Sequence, residues 1–197
     1  MNRIAEPCVS MRETSLASVP APAAPTMEPD VQRVAELPVD AGERLLRRAF
    51  GRFATGVVVV STGCGETLHA MTANAFMSGS LRPPLIVVSV GQRARMHDRL
   101  MTHEFFAVSV LTDEQEAHSR HYAGEHQTWL APHFSEAQGV PGIAWLDRAV
   151  ARFAARVVDR HPCGDHTLFI GEVQAFSLED HAPLLFFGGH YANVRHR

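Results

Sequence analysis

The sequence predicts a mainly β fold with peripheral helices, built as an antiparallel barrel. Three observations predict it. Short β-branched or apolar runs recur along the chain, Gly- and Pro-containing turns separate them, and helical segments intrude irregularly. A doubly wound parallel sheet needs strict strand–helix alternation, which is missing. No GxGxxG opens a helix after a strand, and neither GxxxxGK[ST] nor GxSxG occurs, so Rossmann, P-loop and α/β-hydrolase readings lapse.

Six of the 12 prolines (Pro7, Pro20, Pro22, Pro25, Pro29 and Pro38) lie in the first 40 residues, and residues 20–25 are all Pro or Ala. Such a stretch buries too little apolar surface to offset its ordering entropy. Residues 1–38 are therefore expected to be a mostly disordered Pro/Ala-rich extension, within which Met11 and Met27 offer alternative starts. The domain is expected over residues 39–197. Asp40 with Glu43 is a capping-box pattern, and Leu45, Leu46, Ala49, Phe50 and Phe53 follow at helical spacing, so a helix should run to near Gly56.

Val57, Val58, Val59 and Val60 read as a strand bounded by the turn Gly63-Cys64-Gly65. Leu68, Ala70 and Thr72 then alternate with His69, Met71 and Ala73, the returning strand of a hairpin. Pro83-Pro84 precedes a buried strand over residues 85–90. A helix is expected over 95–103 and a strand over 105–111. Thr112 with Gln115 marks a second capping box, opening a polar helix to about Tyr122. Residues 124–148 carry no clear period, and three more strands are expected over 149–159, 166–176 and 184–187.

Composition narrows the function. With 18 basic against 21 acidic residues the net charge is −3 and the pI about 6.4, which argues against a nucleic-acid binder. Cys8, Cys64 and Cys163 are too far apart for a disulfide framework or a CxxC motif and suit a reducing compartment. Apolar runs such as residues 85–88 fall far short of the roughly 20 residues a membrane helix needs. Glu6, Arg12 and Glu13 break any signal-peptide pattern. The expectation is a cytoplasmic protein without membrane or nucleic-acid partners. Twelve histidines invite a metal, but no HExxH or comparable ligand spacing occurs, so none is expected.

Three segments bear on chemistry. Residues 71–80 are dominated by small and hydroxylated side chains, which let a flat ligand reach backbone N–H groups while Thr72, Ser78 and Ser80 supply hydroxyls for a phosphate or ribityl chain. On composition alone an ordinary polar loop accounts for it better. Gly91-Gln92-Arg93-Ala94-Arg95 follows a buried strand and opens a helix, a reasonable place for a phosphate, though in isolation a solvated charged turn accounts for it better. Gly164-Asp165-His166 places a histidine at a strand's edge, within reach of a substrate carbonyl.

Taken in order, these strings resemble the flavin reductase-like, FMN-binding split-barrel family, in particular the small reductase components of two-component flavin-dependent monooxygenases. The resemblance runs over about residues 43–194. It begins at Phe50-Gly51-Arg52-Phe53-Ala54-Thr55-Gly56-Val57 and takes in Met71-Thr72-Ala73-Asn74-Ala75-Phe76. Its most specific later string is Gly164-Asp165-His166-Thr167-Leu168-Phe169-Ile170-Gly171-Glu172-Val173. Where relatives commonly carry hydroxyls on both sides of the arginine, this chain has Ala94-Arg95-Met96. Ala155 and Gly79 are further departures from the family pattern.

The resemblance implies an antiparallel split β-barrel and a homodimeric NAD(P)H:flavin oxidoreductase. NADH or NADPH is then the co-substrate, FMN, FAD or riboflavin the acceptor, and a monooxygenase the user of the diffusing reduced flavin. By matching positions, Met71, Thr72, Ala73, Asn74 and Ala75 would line the isoalloxazine, together with Ser78 and Ser80. Ser89, Val90 and Gly91 would flank the ribityl phosphate, with Arg95 supplying charge. His166, the one side chain assigned a part in the reaction, would border the nicotinamide with Gly189, His190 and Tyr191.

Such a reaction needs no strong acid, base or metal, because the two ring systems supply the electronics. The protein has to stack the rings at roughly 3–3.5 Å and meet the charge arriving on the acceptor. Two other readings stay open: a flavin-binding electron carrier without turnover, and a reductase of another acceptor such as a ferric chelate.

Overall fold

A computed structural model describes residues 33–194; the extension expected over residues 1–38 lies outside that range as far as residue 32. Residues Val34–Glu36 form one 3-10 turn where no regular structure is expected, closed by local bonds such as Glu36 N–H to Arg33 C=O.

From Pro38 onward the domain opens with α1 (Val39–Phe50). Pro38 occupies the N-cap, so the helix starts without the expected Asp40–Glu43 box. It also stops well before Gly56, because Gly51, Arg52 and Phe53 close into successive turns against the last carbonyls. Then come β1 (Thr55–Gly56), β2 (Val58–Thr62), β3 (His69–Ala73), β4 (Phe76–Leu81), β5 (Pro84–Gly91) and α2 (Arg95–Thr102). The second half holds β6 (Phe105–Val110), α3 (Glu116–Tyr122), β7 (Phe134–Glu136), β8 (Ala144–Leu146), β9 (Ala151–Cys163), β10 (His166–Leu178), β11 (Leu184–Phe187) and β12 (His190–Asn193).

Every pairing is antiparallel, and seven strands form one sheet in the order β3-β2-β6-β9-β10-β5-β4. Its two edge strands, β3 and β4, are consecutive in the chain and joined only by Asn74 and Ala75. Three Cα steps span at most about 11 Å. The sheet must therefore curl until its edges meet, and Ala75 C=O fastens the corner by accepting from Ser89 N–H at 3.0 Å. Because β3 and β4 do not pair, the barrel stays split along that line. The fold is thus mainly β, an antiparallel split barrel with few helices.

Alternation sorts the side chains. Val58, Val60, Ile86, Val88, Val90, Phe106, Val108 and Phe169 point into the barrel, and Met96 and Leu100 of α2 plug it. Val57 and Val59 point the other way, under β11 with Leu111, Leu146 and Leu184. Burial on both faces explains the unbroken valine run. Gly171 sits at a bulge of β10 where a Cβ would fall 2.5 Å from the Phe106 ring. Any side chain there collides with the centre of the core.

Residues 124–148, without a period in the sequence, are pinned from outside. Ser61 Oγ donates to Ala144 C=O at 2.6 Å, Leu146 N–H donates to Ser109 Oγ at 3.0 Å, and Gln115 Nε2 donates to Asp147 C=O at 2.8 Å. β12 is a strand that the sequence reading lacks. Gly188 and Gly189, with φ of 60° and 87°, make the two-residue turn that folds it onto β11. Among the described residues no helix is long and apolar enough to cross a membrane.

Candidate functional site

Asn74 stands at the corner between β3 and β4, and three cavities meet there. One of about 200 Å³ lies against Thr72, Ala73, Ser119 and Tyr191. A second, about 350 Å³, runs past Thr55, Gly56 and Phe76. The third, about 330 Å³, reaches Thr55, Gly51, Arg47 and Gly189. The Asn74 side chain is exposed to this space. Residues 71–80 are not the loop that their composition suggests but two edge strands and the corner joining them.

Each edge strand pairs on one side only, so the unpaired N–H and C=O groups of β3 and β4 border the split. Thr55 adds a polar side chain: its Oγ1 is buried without a hydrogen-bond partner where two of the cavities pass. Met71 and Ala73 pack against the barrel core. Thr72 points the other way and donates from Oγ1 to Ser119 C=O at 2.7 Å. Ser78 is exposed, and Ser80 Oγ accepts from Arg82 N–H at 3.1 Å, bracing the turn into β5.

A second group forms where β5 ends beside the start of β10. The register sets Ser89 opposite Leu168, Val90 opposite Thr167 and Gly91 opposite His166. Gln92 ties the turn down, donating from N–H to Asp165 C=O at 2.9 Å and from Nε2 to Gly164 C=O at 3.3 Å. His166 Nδ1 lies 2.7 Å from Asp165 Oδ1. That hydrogen bond first, and the charge on the ring second, hold the Asp165 carboxyl below its ordinary range. Arg95 is exposed on the first residue of α2. Burial, followed by the charges of Arg95 and Arg99, holds His69 below the usual imidazole range, and Arg99 Nη1 of the same helix donates to Thr67 C=O at 3.3 Å, just ahead of β3.

The third group is the β11–β12 hairpin. Tyr191 OH lies 2.8 Å from Ser119 Oγ, its ring is edge-on to Phe186, and the Arg120 guanidinium sits 4.8 Å from its centroid. Gly189 shares a cavity with Asn74, and His190 is exposed beside it. The structure therefore brings Thr72, Ala73, Asn74, Gly189 and Tyr191 together. It groups Ser89, Val90, Gly91 and His166 separately and links the two sets through the Ala75–Ser89 bond. No cavity among those described joins His166 to Gly189 or Tyr191. Ser119 carries no signal in the sequence, and Thr55 stands there only as one residue of a longer string. The string around Thr55 hinted at that position, but nothing in sequence marks the hydroxyl as unpartnered.

The model of the flavin reductase like domain matches residues 50–195. The chain belongs to that family. An NADH-dependent flavin reductase of Rhodococcus sp is 40% identical over 152 residues, 76% of this chain and 85% of that protein. The reductase component of 4-hydroxyphenylacetate 3-monooxygenase from Thermus thermophilus is 37% identical over 149 residues, 75% of this chain and 94% of its own length. A solved structure, the Streptomyces globisporus NADH:FAD oxidoreductase SgcE6 in complex with NAD and FAD fragments, aligns with a TM-score of 0.73 at 37% identity. It covers 81% of this chain and 97% of that one.

Membership of the flavin reductase family raises the question of whether these residues suit a flavin. They do. A flat ring needs small residues on its face and donors at its polar edge, and the split offers Ala73 and Ala75, two free strand edges and the Asn74 amide. The ribityl phosphate needs a path to a cation. β3 runs about 13 Å from the Asn74 corner toward the end where α2, opened by Arg95, is bonded to Thr67.

Proposed function

We propose that this chain is an NADH-dependent flavin reductase that hands reduced FMN or FAD to a flavin-dependent monooxygenase component. The observation that carries the reading is the convergence of three cavities on Asn74 at the open split of the barrel, beside the unpartnered Thr55 hydroxyl.

Hydride transfer between nicotinamide and flavin is supplied by the two ring systems themselves. The chain's residues hold them in place. Met71, Thr72, Ala73, Asn74 and Ala75 form the wall behind the flavin ring, with the Asn74 amide at its polar edge. Ser78 and Ser80 border the same ligand from β4. Ser89, Val90, Gly91 and Arg95 take the ribityl phosphate, with Arg95 as its cation. His166, steadied by Asp165, meets the nicotinamide carboxamide from one side, while Gly189, His190 and Tyr191 close the other. Tyr191 is positioned by Ser119 and Phe186.

Residues 39–197 make up this reductase domain, which works as a homodimer. Met77, Leu81, Phe176 and Leu178 on β4 and β10 are 59%, 91%, 65% and 71% exposed, apolar side chains that a second copy would cover. A reducing cytoplasm suits the free thiols of Cys64 and Cys163.

The test is a steady-state matrix of NADH and NADPH against FMN, FAD and riboflavin. NADH should be oxidised rapidly only when a flavin is present, with NADPH the poorer donor. Absence of flavin-stimulated oxidation with both nucleotides would falsify the reading.

A further inference from the structure

The end of α1 is strongly basic. Arg44, Arg47, Arg48 and Arg52 are four of the 18 basic residues of a chain whose net charge is −3. Arg47 approaches Glu43 at 3.7 Å, with both side chains largely exposed; Arg44, Arg48 and Arg52 form no ion pair among the described residues. In the last turn Arg47 and Arg48 oppose the negative end of the helix dipole. Arg52 lies past the helix and has no such duty.

Arg47, Arg48 and Arg52 line a cavity of about 300 Å³ whose other walls are Gly51, Gly188 and Gly189. Three arginines and three glycines make up the lining, and no acidic residue is among them. The hairpin is held against the helix by Gly188 N–H donating to Gly51 C=O at 2.8 Å. A Cβ on Gly188 or Gly189 would meet nothing within 4 Å, so the space over that backbone is open. Guanidinium walls over bare peptide suit phosphate oxygens, which take paired N–H donors and approach the main chain closely.

This cavity is continuous with the site. Arg47, Gly51 and Gly189 also line the space that reaches Thr55 and Asn74. It adjoins the Asn74 end of β3, whereas α2, which Arg95 opens, packs toward the other end, where Arg99 Nη1 donates to Thr67 C=O at 3.3 Å. One flavin phosphate cannot occupy both, and the basic cavity opens beside the hairpin that closes on the nicotinamide. Resting on the reductase reading, we infer that Arg47, Arg48 and Arg52 bind the pyrophosphate of the nicotinamide dinucleotide, whose nicotinamide ring passes Gly189 to reach Asn74.

ADP-ribose, which carries the pyrophosphate without the nicotinamide, tests this. It should compete with NADH, and the double variant Arg48→Ala/Arg52→Ala should raise the NADH KM and the ADP-ribose Ki together by about tenfold or more. The riboflavin KM, with no phosphate involved, should not move. Both side chains are exposed, and a thermal melt confirms the fold; Arg52→Gln, outside the helix, carries the same readouts. An unchanged NADH KM in a variant of an active enzyme overturns the pyrophosphate site and leaves the reductase reading standing. So does a rise confined to the FMN KM, which would make the cluster a flavin phosphate site. If the wild-type chain oxidises no NADH, the reductase reading fails. Calorimetric titration with ADP-ribose then decides separately: binding lost in the variant supports the site, and no binding by the wild type overturns it.

Discussion

Tyr191 on β12 and Thr72 on β3 are bound through one residue of α3. The phenol oxygen of Tyr191 lies 2.8 Å from Ser119 Oγ, and Ser119 C=O accepts from Thr72 Oγ1 at 2.7 Å. Two walls of the Asn74 cavity are thus tied to each other through α3, whose Ser119 also lines it.

Tyr191→Phe removes the hydroxyl from that link and keeps the ring against Phe186. A part-buried hydrogen bond of this kind contributes about 0.5–1.5 kcal/mol, so denaturant unfolding should show a loss of that size. Ser119→Ala should cost a similar amount, and the double variant should cost less than the two singles together. Simple additivity would mean that the pair does not couple.

Asn74→Asp is isosteric and leaves the corner intact, yet it sets a carboxylate beside a ring that must accept negative charge. Reduced flavin should bind about tenfold more weakly or worse, as followed by anaerobic fluorescence titration. The melting temperature should stay near that of the wild type.

Asp165 and His166 make a pH prediction with a definite sign. A lowered carboxyl pKa means that the pair's contribution is present above the ordinary carboxylate range and fades as pH falls through the lower folded value. By NMR the Asp165 carboxyl should therefore titrate below the ordinary 3.8, and in His166→Ala its midpoint should return toward it. The same variant should raise the nicotinamide KM more than it weakens flavin binding. Loss of flavin affinity with an unchanged KM would assign His166 to the wrong ligand.

Arg95→Ala separates FMN from riboflavin, since only FMN carries a phosphate. Its FMN KM should rise by about tenfold or more while that for riboflavin holds. Equal losses with both flavins would remove Arg95 from the phosphate site.

Gly171→Ala tests the core. The added methyl lands 2.5 Å from the Phe106 ring and 2.9 Å from the Ala155 methyl group, and neither neighbour is a flexible chain end. Overpacking of this type costs about 1–3 kcal/mol, visible as an earlier denaturant midpoint with unchanged slope.

Most of the barrel is legible in the sequence because its strands are either continuously apolar or strictly alternating. Residues 85–90 announce β5, and Thr112 with Gln115 announces the turn before α3; there Gln115 Oε1 does accept from Thr112 N–H, at 3.1 Å. β12 escapes notice because His190, Tyr191, Ala192 and Asn193 have neither alternation nor β-branching, and its strand character comes from pairing with β11. β7 and β8 escape for a related reason. Their position is fixed by hydroxyls and an amide far away in the chain, which no local window contains.

The site divides in the same way. Small side chains at residues 71–80 point to a ligand wall, but the composition equally fits a loop, and only the sheet order turns it into two facing edges. Thr55 is one threonine among several until burial leaves its hydroxyl without a partner. The arginines of α1 carry no signal in the sequence, and only the Gly188–Gly189 turn folded against the helix end makes a cavity of them.

The sheet order also has a consequence for biosynthesis. β10 lies between β9 and β5, so without it the strands form two unconnected ribbons, β3-β2-β6-β9 and β5-β4. The corner at Asn74 emerges early from the ribosome, but the sheet around it cannot close until residue 178 has followed, and its cavities need Gly189 and Tyr191 as well. Until then the apolar flank of β5 has no barrel to enter. A nascent chain stalled in that interval presents a bare strand to chaperones and to its neighbours, and it cannot yet be rescued by ligand.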